Sequence, residues 1–84
     1  MASVTVRYRG QLAVLTGVGS EALNADTVRD IIKRITDIGG AEAGKLAKAM
    51  LIVVDGESIS LRKGLATRLR DGETVQFLPI CGGG

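Results

Sequence analysis

A chain of 84 residues, 45% of them hydrophobic, has room for one small domain with a single core and is too apolar to stay disordered. Eleven Lys and Arg against nine Asp and Glu leave a net charge of +2, with one cysteine and no histidine. That excludes an intramolecular disulfide framework, a Cys/His metal site and any catalytic triad that turns on histidine. No apolar run reaches the ~18–20 residues that span a bilayer, and the start Met1-Ala2-Ser3-Val4-Thr5-Val6-Arg7 lacks the pattern of a signal peptide. The expectation is a cytoplasmic protein with no membrane partner.

Residues 3–9 alternate, with Val4, Val6 and Tyr8 on one side and Thr5, Arg7 and Arg9 on the other, the period of a half-buried strand. Gly10-Gln11 reads as a tight break and residues 12–16 as a second short strand, making a hairpin that Gly17, Gly19 and Ser20 end. Val28, Ile31, Ile32, Ile35 and Ile38 then mark the apolar face of a helix, with Asp26 or Thr27 to cap it and Gly39-Gly40 to stop it. Residues 41–49 form a weaker, Ala-rich helical segment. The β-branched run at 50–54 predicts a strand with both faces at least partly covered, and Asp55-Gly56 a turn. A short return strand follows at 58–61, an irregular stretch at 62–70, a turn at Asp71-Gly72 and a last strand at 74–80. In that strand Val75 and Phe77 share the inward face, and Gln76 and Leu78 the other. One helix cannot cover both faces of a sheet, so the fold class is α+β: a mixed sheet with one main helix packed on one face, in a β-grasp arrangement. Residues 1–80 make the domain and 81–84 a flexible C-terminal tail.

Arg62, Lys63, Arg68 and Arg70 form a basic stretch with no acid among them. Tyr8 and Phe77 are the only aromatic residues, too few to stack bases, so no nucleic-acid partner is expected. The stretch reads as a solvated loop that meets an acidic protein partner. Leu78, on the helix-free face beside residues 50–54, belongs to an apolar partner patch that these cations flank. Cys81 reads as a small residue at the strand exit.

The chain ends Gly82-Gly83-Gly84. A frayed end or an appended remnant is the plain reading. The chemical reading is that a tail without Cβ atoms threads a narrow channel, reaching about 13–14 Å from Cys81 to Gly84 when extended, and presents its carboxylate to a distant enzyme. The free carboxylate is ionised at neutral pH and a poor electrophile. Adenylation replaces its oxide with AMP as the leaving group.

The segment Leu69-Arg70-Asp71-Gly72-Glu73-Thr74-Val75-Gln76-Phe77-Leu78-Pro79 followed by Gly83-Gly84 resembles the end of the MoaD/ThiS ubiquitin-like sulfur carriers, with their Leu-x-Asp-Gly-Asp-x-Val stretch, proline exit and terminal Gly-Gly. Val54-Asp55-Gly56-Glu57 is similar to the family's Val-Asn-Gly-Glu turn, with Asp55 in place of Asn. The resemblance implies a non-enzymatic sulfur carrier, or the non-catalytic small subunit of a synthase. It implies no bound cofactor, no metal ligand and no catalytic residue. It further implies that an E1-like adenylating enzyme activates Gly84 with ATP and magnesium, that Gly82 and Gly83 thread its channel, that a sulfur donor converts Gly84 to a thiocarboxylate, and that a biosynthetic enzyme accepts the sulfur. Pro79 favours molybdopterin as the product, with thiamine thiazole, cysteine or another sulfur metabolite as other destinations. The alternatives are a ubiquitin-like modifier joined to lysines through Gly84 and an interaction module with an inert tail.

Overall fold

The computed structural model describes residues 1–80. In chain order the elements are β1 (Ala2–Tyr8), α1 (Gln11–Thr16), β2 (Ser20–Ala25), α2 (Val28–Ala49), β3 (Leu51–Val54), β4 (Glu57–Ser58) and β5 (Thr74–Leu78), with 3-10 turns at Ile59–Leu61 and Gly64–Ala66. The five strands form one sheet in the order β2-β1-β5-β3-β4. β5 lies in the middle, parallel to β1 (Val6 beside Val75, Tyr8 beside Phe77) and antiparallel to β3 (Leu51 beside Leu78, Val54 beside Val75). With α2 packed across one face, this is the expected mixed-sheet β-grasp.

The expected hairpin is wrong in its second arm. Residues 12–16 form a helix, because Leu12 and Thr16, four residues apart, are the pair that faces the core while Val14 is 72% exposed. Thr16 Oγ1 donates back to the Leu12 carbonyl at 2.9 Å, and Gly17 ends the helix in the left-handed conformation at φ 78°. The true partner of β1 is the segment Ser-Glu-Ala-Leu-Asn-Ala of β2, pairing antiparallel from Ala2–Ala25 to Arg7–Ser20. Its residue types are poor strand formers, and tertiary pairing overrides them. The return strand is shorter than expected, since residues 59–61 turn into a 3-10 helix directly after β4. The last strand ends at Leu78, before Pro79 and Ile80.

The two expected helical segments meet in α2. Asp30 caps the start by accepting from the backbone N–H groups of Asp26 and Thr27 at 2.9 and 3.2 Å. Gly40 breaks the helical path at φ 89°, ψ 173°, a conformation essentially restricted to glycine that costs other residues on the order of 1–3 kcal/mol. Beyond the break the second half lies so close to the first that a Cβ on Gly44 would collide with the Thr36 hydroxyl. Ala43 and Ala47 of this half join the core. The core expected from the inward phases is assembled: Val4, Val6, Ile31, Ile32, Ile35, Val75 and Phe77 are all buried in one cluster.

A polar network closes the edge of this core. The Tyr8 hydroxyl donates to Glu21 Oε2 at 2.6 Å, and Arg34 Nη2 meets Glu21 Oε1 at 2.9 Å. β2 is an edge strand, and an inward-turned carboxylate on it blunts pairing with other chains. Burial, then the Glu21 hydrogen bond and charge, push the Tyr8 phenol up, so it stays a donor. The Arg34 hydrogen bond holds the Glu21 carboxyl below its ordinary value of 4.5. A lowered folded-state pKa stabilises the fold above the unfolded value, and that contribution is lost as pH falls through the folded value. Glu21→Gln is therefore expected to be less stable than wild type at pH 7. The gap should shrink below about pH 4.5 as the unfolded glutamate takes up its proton. Urea melts of both proteins between pH 7 and pH 3 check this; a gap constant across that range would assign the effect to shape instead of charge.

Candidate functional site

The site begins where β5 delivers the chain out of the sheet. Phe77 is fully buried, its ring 6.1 Å from that of Tyr8 and tilted by 33°. The end of the strand is thus anchored in the core one residue before Leu78, where β5 ends. Leu78 points to the helix-free face, as its phase requires, and is partly exposed directly opposite Leu51, itself 41% exposed. Val53, on the same face, is nearly covered and stands outside the main core. On the helix side, Pro79 and Ile80 line a groove of about 290 Å³ with Leu12, Leu46, Ala49 and Met50. The exit therefore has apolar surface on both sides, with Ile80 68% exposed between them.

The cations beside this exit are Arg7 and Arg9. β1 runs parallel to β5, so its end stands level with the end of β5: Arg7 pairs with Gln76, and Arg9 lines the same groove as Pro79 and Ile80. Sequence reasoning placed residues 50–54, and so Leu51, beside Leu78 but missed Arg7, Arg9 and Ile80 as neighbours of the exit. Their alternation and apolarity were visible, but the strand order that brings them together was not.

Arg62, Lys63, Arg68 and Arg70 are brought together, lining an open groove of about 670 Å³ with Ala66, Thr67 and Glu73. This groove lies at the other end of the sheet. Arg62 pairs with Glu57 and Glu73, Glu57 stands opposite Val54, and Glu73 immediately precedes β5. Four strand steps separate Thr74 from Leu78, about 13 Å. The basic set does not flank the Leu51–Leu78 patch as expected; the length of β5 separates them. Cys81, Gly82, Gly83 and Gly84, to which the sequence assigns the exit and the tail, lie outside the described residues.

The turn that resembled the family's Val-Asn-Gly-Glu also acquires a role. Asp55 sits at φ 48°, and its Oδ1 accepts from the Thr74 N–H at 2.8 Å. The carboxylate does there what an Asn side-chain carbonyl can do, and fixes the start of the strand whose end carries the tail. Among the described residues no helix is long and apolar enough to cross a membrane, and no cluster of His, Cys, Asp or Glu could hold a metal ion.

Comparison with known proteins agrees with this architecture. No curated protein is similar enough in sequence to match. Among solved structures, a chain of the Amycolatopsis orientalis BexX/CysO complex superposes with a TM-score of 0.79 at 27% identity, covering 96% of this chain and 99% of that one. The small archaeal modifier protein 1 of Methanosarcina acetivorans superposes with a TM-score of 0.76 at 24% identity, over 100% and 98% of the two chains. The putative molybdopterin converting factor subunit 1 of Pyrococcus furiosus gives 0.71 at 24% identity, over 94% and 98%. The ThiS family model matches residues 6–84, from the second half of β1 through the terminal glycines, and by that match the chain belongs to the ThiS family, with the ubiquitin-like β-grasp of its sulfur carriers.

Proposed function

We propose that the chain is a protein co-substrate that carries sulfur as a thiocarboxylate on Gly84. The observation that carries this reading is that the family match runs through the terminal Gly-Gly, on a fold whose central strand points toward that end. The Gly84 carboxylate attacks the α-phosphorus of ATP on an E1-like enzyme, releasing pyrophosphate, and magnesium serves that enzyme's nucleotide. A sulfur donor then attacks the acyl-adenylate carbonyl. AMP leaves, and reductive cleavage of the donor's persulfide bond by a thiol leaves the sulfur on Gly84. A biosynthetic enzyme consumes it. Pro79 at the exit favours molybdopterin formation, and the similarity to the BexX/CysO complex supports a carrier that works bound to a partner enzyme.

Intact-mass measurement of the protein from its native cell tests the reading. Replacement of oxygen by sulfur at Gly84 is expected. Gly-Gly remnants on lysines of other proteins would instead establish the modifier reading, and neither product under varied sulfur supply would overturn both. The apolar exit supplies a second test. Leu78→Asp places a charge opposite Leu51 on the helix-free face without touching the core. It is expected to weaken binding to the activating enzyme by tenfold or more, about 1.4 kcal/mol, with an unchanged melting temperature. Unchanged affinity by calorimetric titration would remove Leu78 from that interface.

A further inference from the structure

The segment between β4 and β5 carries two short 3-10 turns but no helix or strand of length, and it is tied down along its course. The Val28 N–H donates to the Thr67 carbonyl at 3.1 Å, and the Leu69 N–H to the Asp26 carbonyl at 2.9 Å. Thr67 Oγ1 accepts from the Lys63 N–H at 3.2 Å, and Glu73 Oε1 from the Arg70 N–H at 2.6 Å. Within it, residues 67–70 alternate as a strand does: Thr67 and Leu69 are buried, Arg68 and Arg70 exposed. Two guanidinium side chains therefore project from one side of an extended, fixed backbone, with Cα atoms about 6.6–6.8 Å apart along it. Lys63 lines the same groove.

The acids nearby are already engaged. Glu57 and Glu73 hold Arg62, and Asp71 Oδ1 accepts from the Ser3 N–H at 2.8 Å. Lys63, Arg68 and Arg70 have no carboxylate partner among the described residues. Arginine favours carboxylate through its planar fork, and two forks in strand register match carboxylates on alternate residues of an extended peptide, which repeat at the same ~6.6–6.8 Å. Nucleic acid fits less well, since Tyr8 and Phe77 are both buried and leave no aromatic face for a base.

We propose that this groove docks an extended acidic segment of a protein partner, with Asp or Glu at alternate positions, gripped by Arg68 and Arg70 and flanked by Lys63. It lies at the end of β5 opposite the exit at Pro79 and Ile80, so a partner can hold the domain there without covering that exit. The contact does not involve Gly84, so binding is read separately from sulfur transfer.

Fluorescence anisotropy with the full chain tests it. The probes are a labelled peptide alternating glutamate with threonine and a second of the same composition with its glutamates consecutive. The alternating peptide is expected to bind at least about threefold more tightly, and the Arg68→Gln/Arg70→Gln double variant to weaken it by roughly fivefold or more. Lys63→Gln should have a smaller effect, and the Arg68→Lys/Arg70→Lys pair should recover only part of the affinity. A thermal melt of each variant confirms the fold. Equal affinity for the two peptides, no loss in the double variant, or tighter binding of an oligothymidylate than of the alternating peptide would each overturn the proposal.

Discussion

Removal of Gly84 is expected to abolish activation by the matching E1-like enzyme while leaving the melting transition in place. The shortened tail withdraws its carboxylate by ~3.3–3.6 Å, whereas productive attack on the nucleotide is lost with displacements of ~1 Å. Extending the chain beyond Gly84 should be equally damaging for another reason, because it converts the reacting carboxylate into an amide. Gly83→Val should fail by obstruction, its branched side chain meeting a channel shaped for bare backbone. ATP–pyrophosphate exchange reads the activation step directly. A truncated protein that melts normally and still supports wild-type exchange would show that the terminal glycine is not the reacting group.

Replacing Ile35 with Ala is expected to produce the largest loss of stability, about 2–5 kcal/mol. Ile35 is fully buried on α2 within the cluster that contains Phe77 and Val75 of the central strand, so the cavity opens where helix meets sheet. In a domain of this size each kcal/mol corresponds to roughly 4–8 °C, and the melting temperature should fall by about 10 °C or more. Denaturant melts check the free energy independently. A loss below half a kcal/mol, about a tenth of a typical total stability, would mean that the site collapses around the smaller side chain.

The legible and illegible parts of this sequence divide on physical grounds. β1, the first half of α2 and β5 announce themselves because their apolar residues recur at the period of the element and their polar residues fill the other phase. β2 does not, because of its inward residues only Leu23 is large and apolar, Ala25 is small, and the third is Glu21, answered by Tyr8 and Arg34 from other elements. α1 misled for the opposite reason: Leu-Ala-Val-Leu looks strand-like, and only the burial of Leu12 with Thr16 shows the period. At the site, the phase of Leu78 was readable from alternation alone. The run at 50–54 was also readable as its neighbour, but the cations around it were not, because the parallel pairing of β1 with β5, which brings Arg7 and Arg9 to the exit and leaves the 62–70 cations at the far end, is a property of topology.

The central position of β5 also has a mechanical meaning. A partner that draws the terminal glycines into a channel pulls along the axis of this strand. Ladders on both sides, to β1 and β3, are then loaded in shear, with many hydrogen bonds sharing the force at once. A tail leaving an edge strand such as β2 would be restrained by a single ladder. Phe77, fully buried beside Tyr8 just inside the exit, roots the loaded end of the strand in the core. For the proposed sulfur carrier this means that the tail can be pulled by one enzyme after another while the fold stays closed.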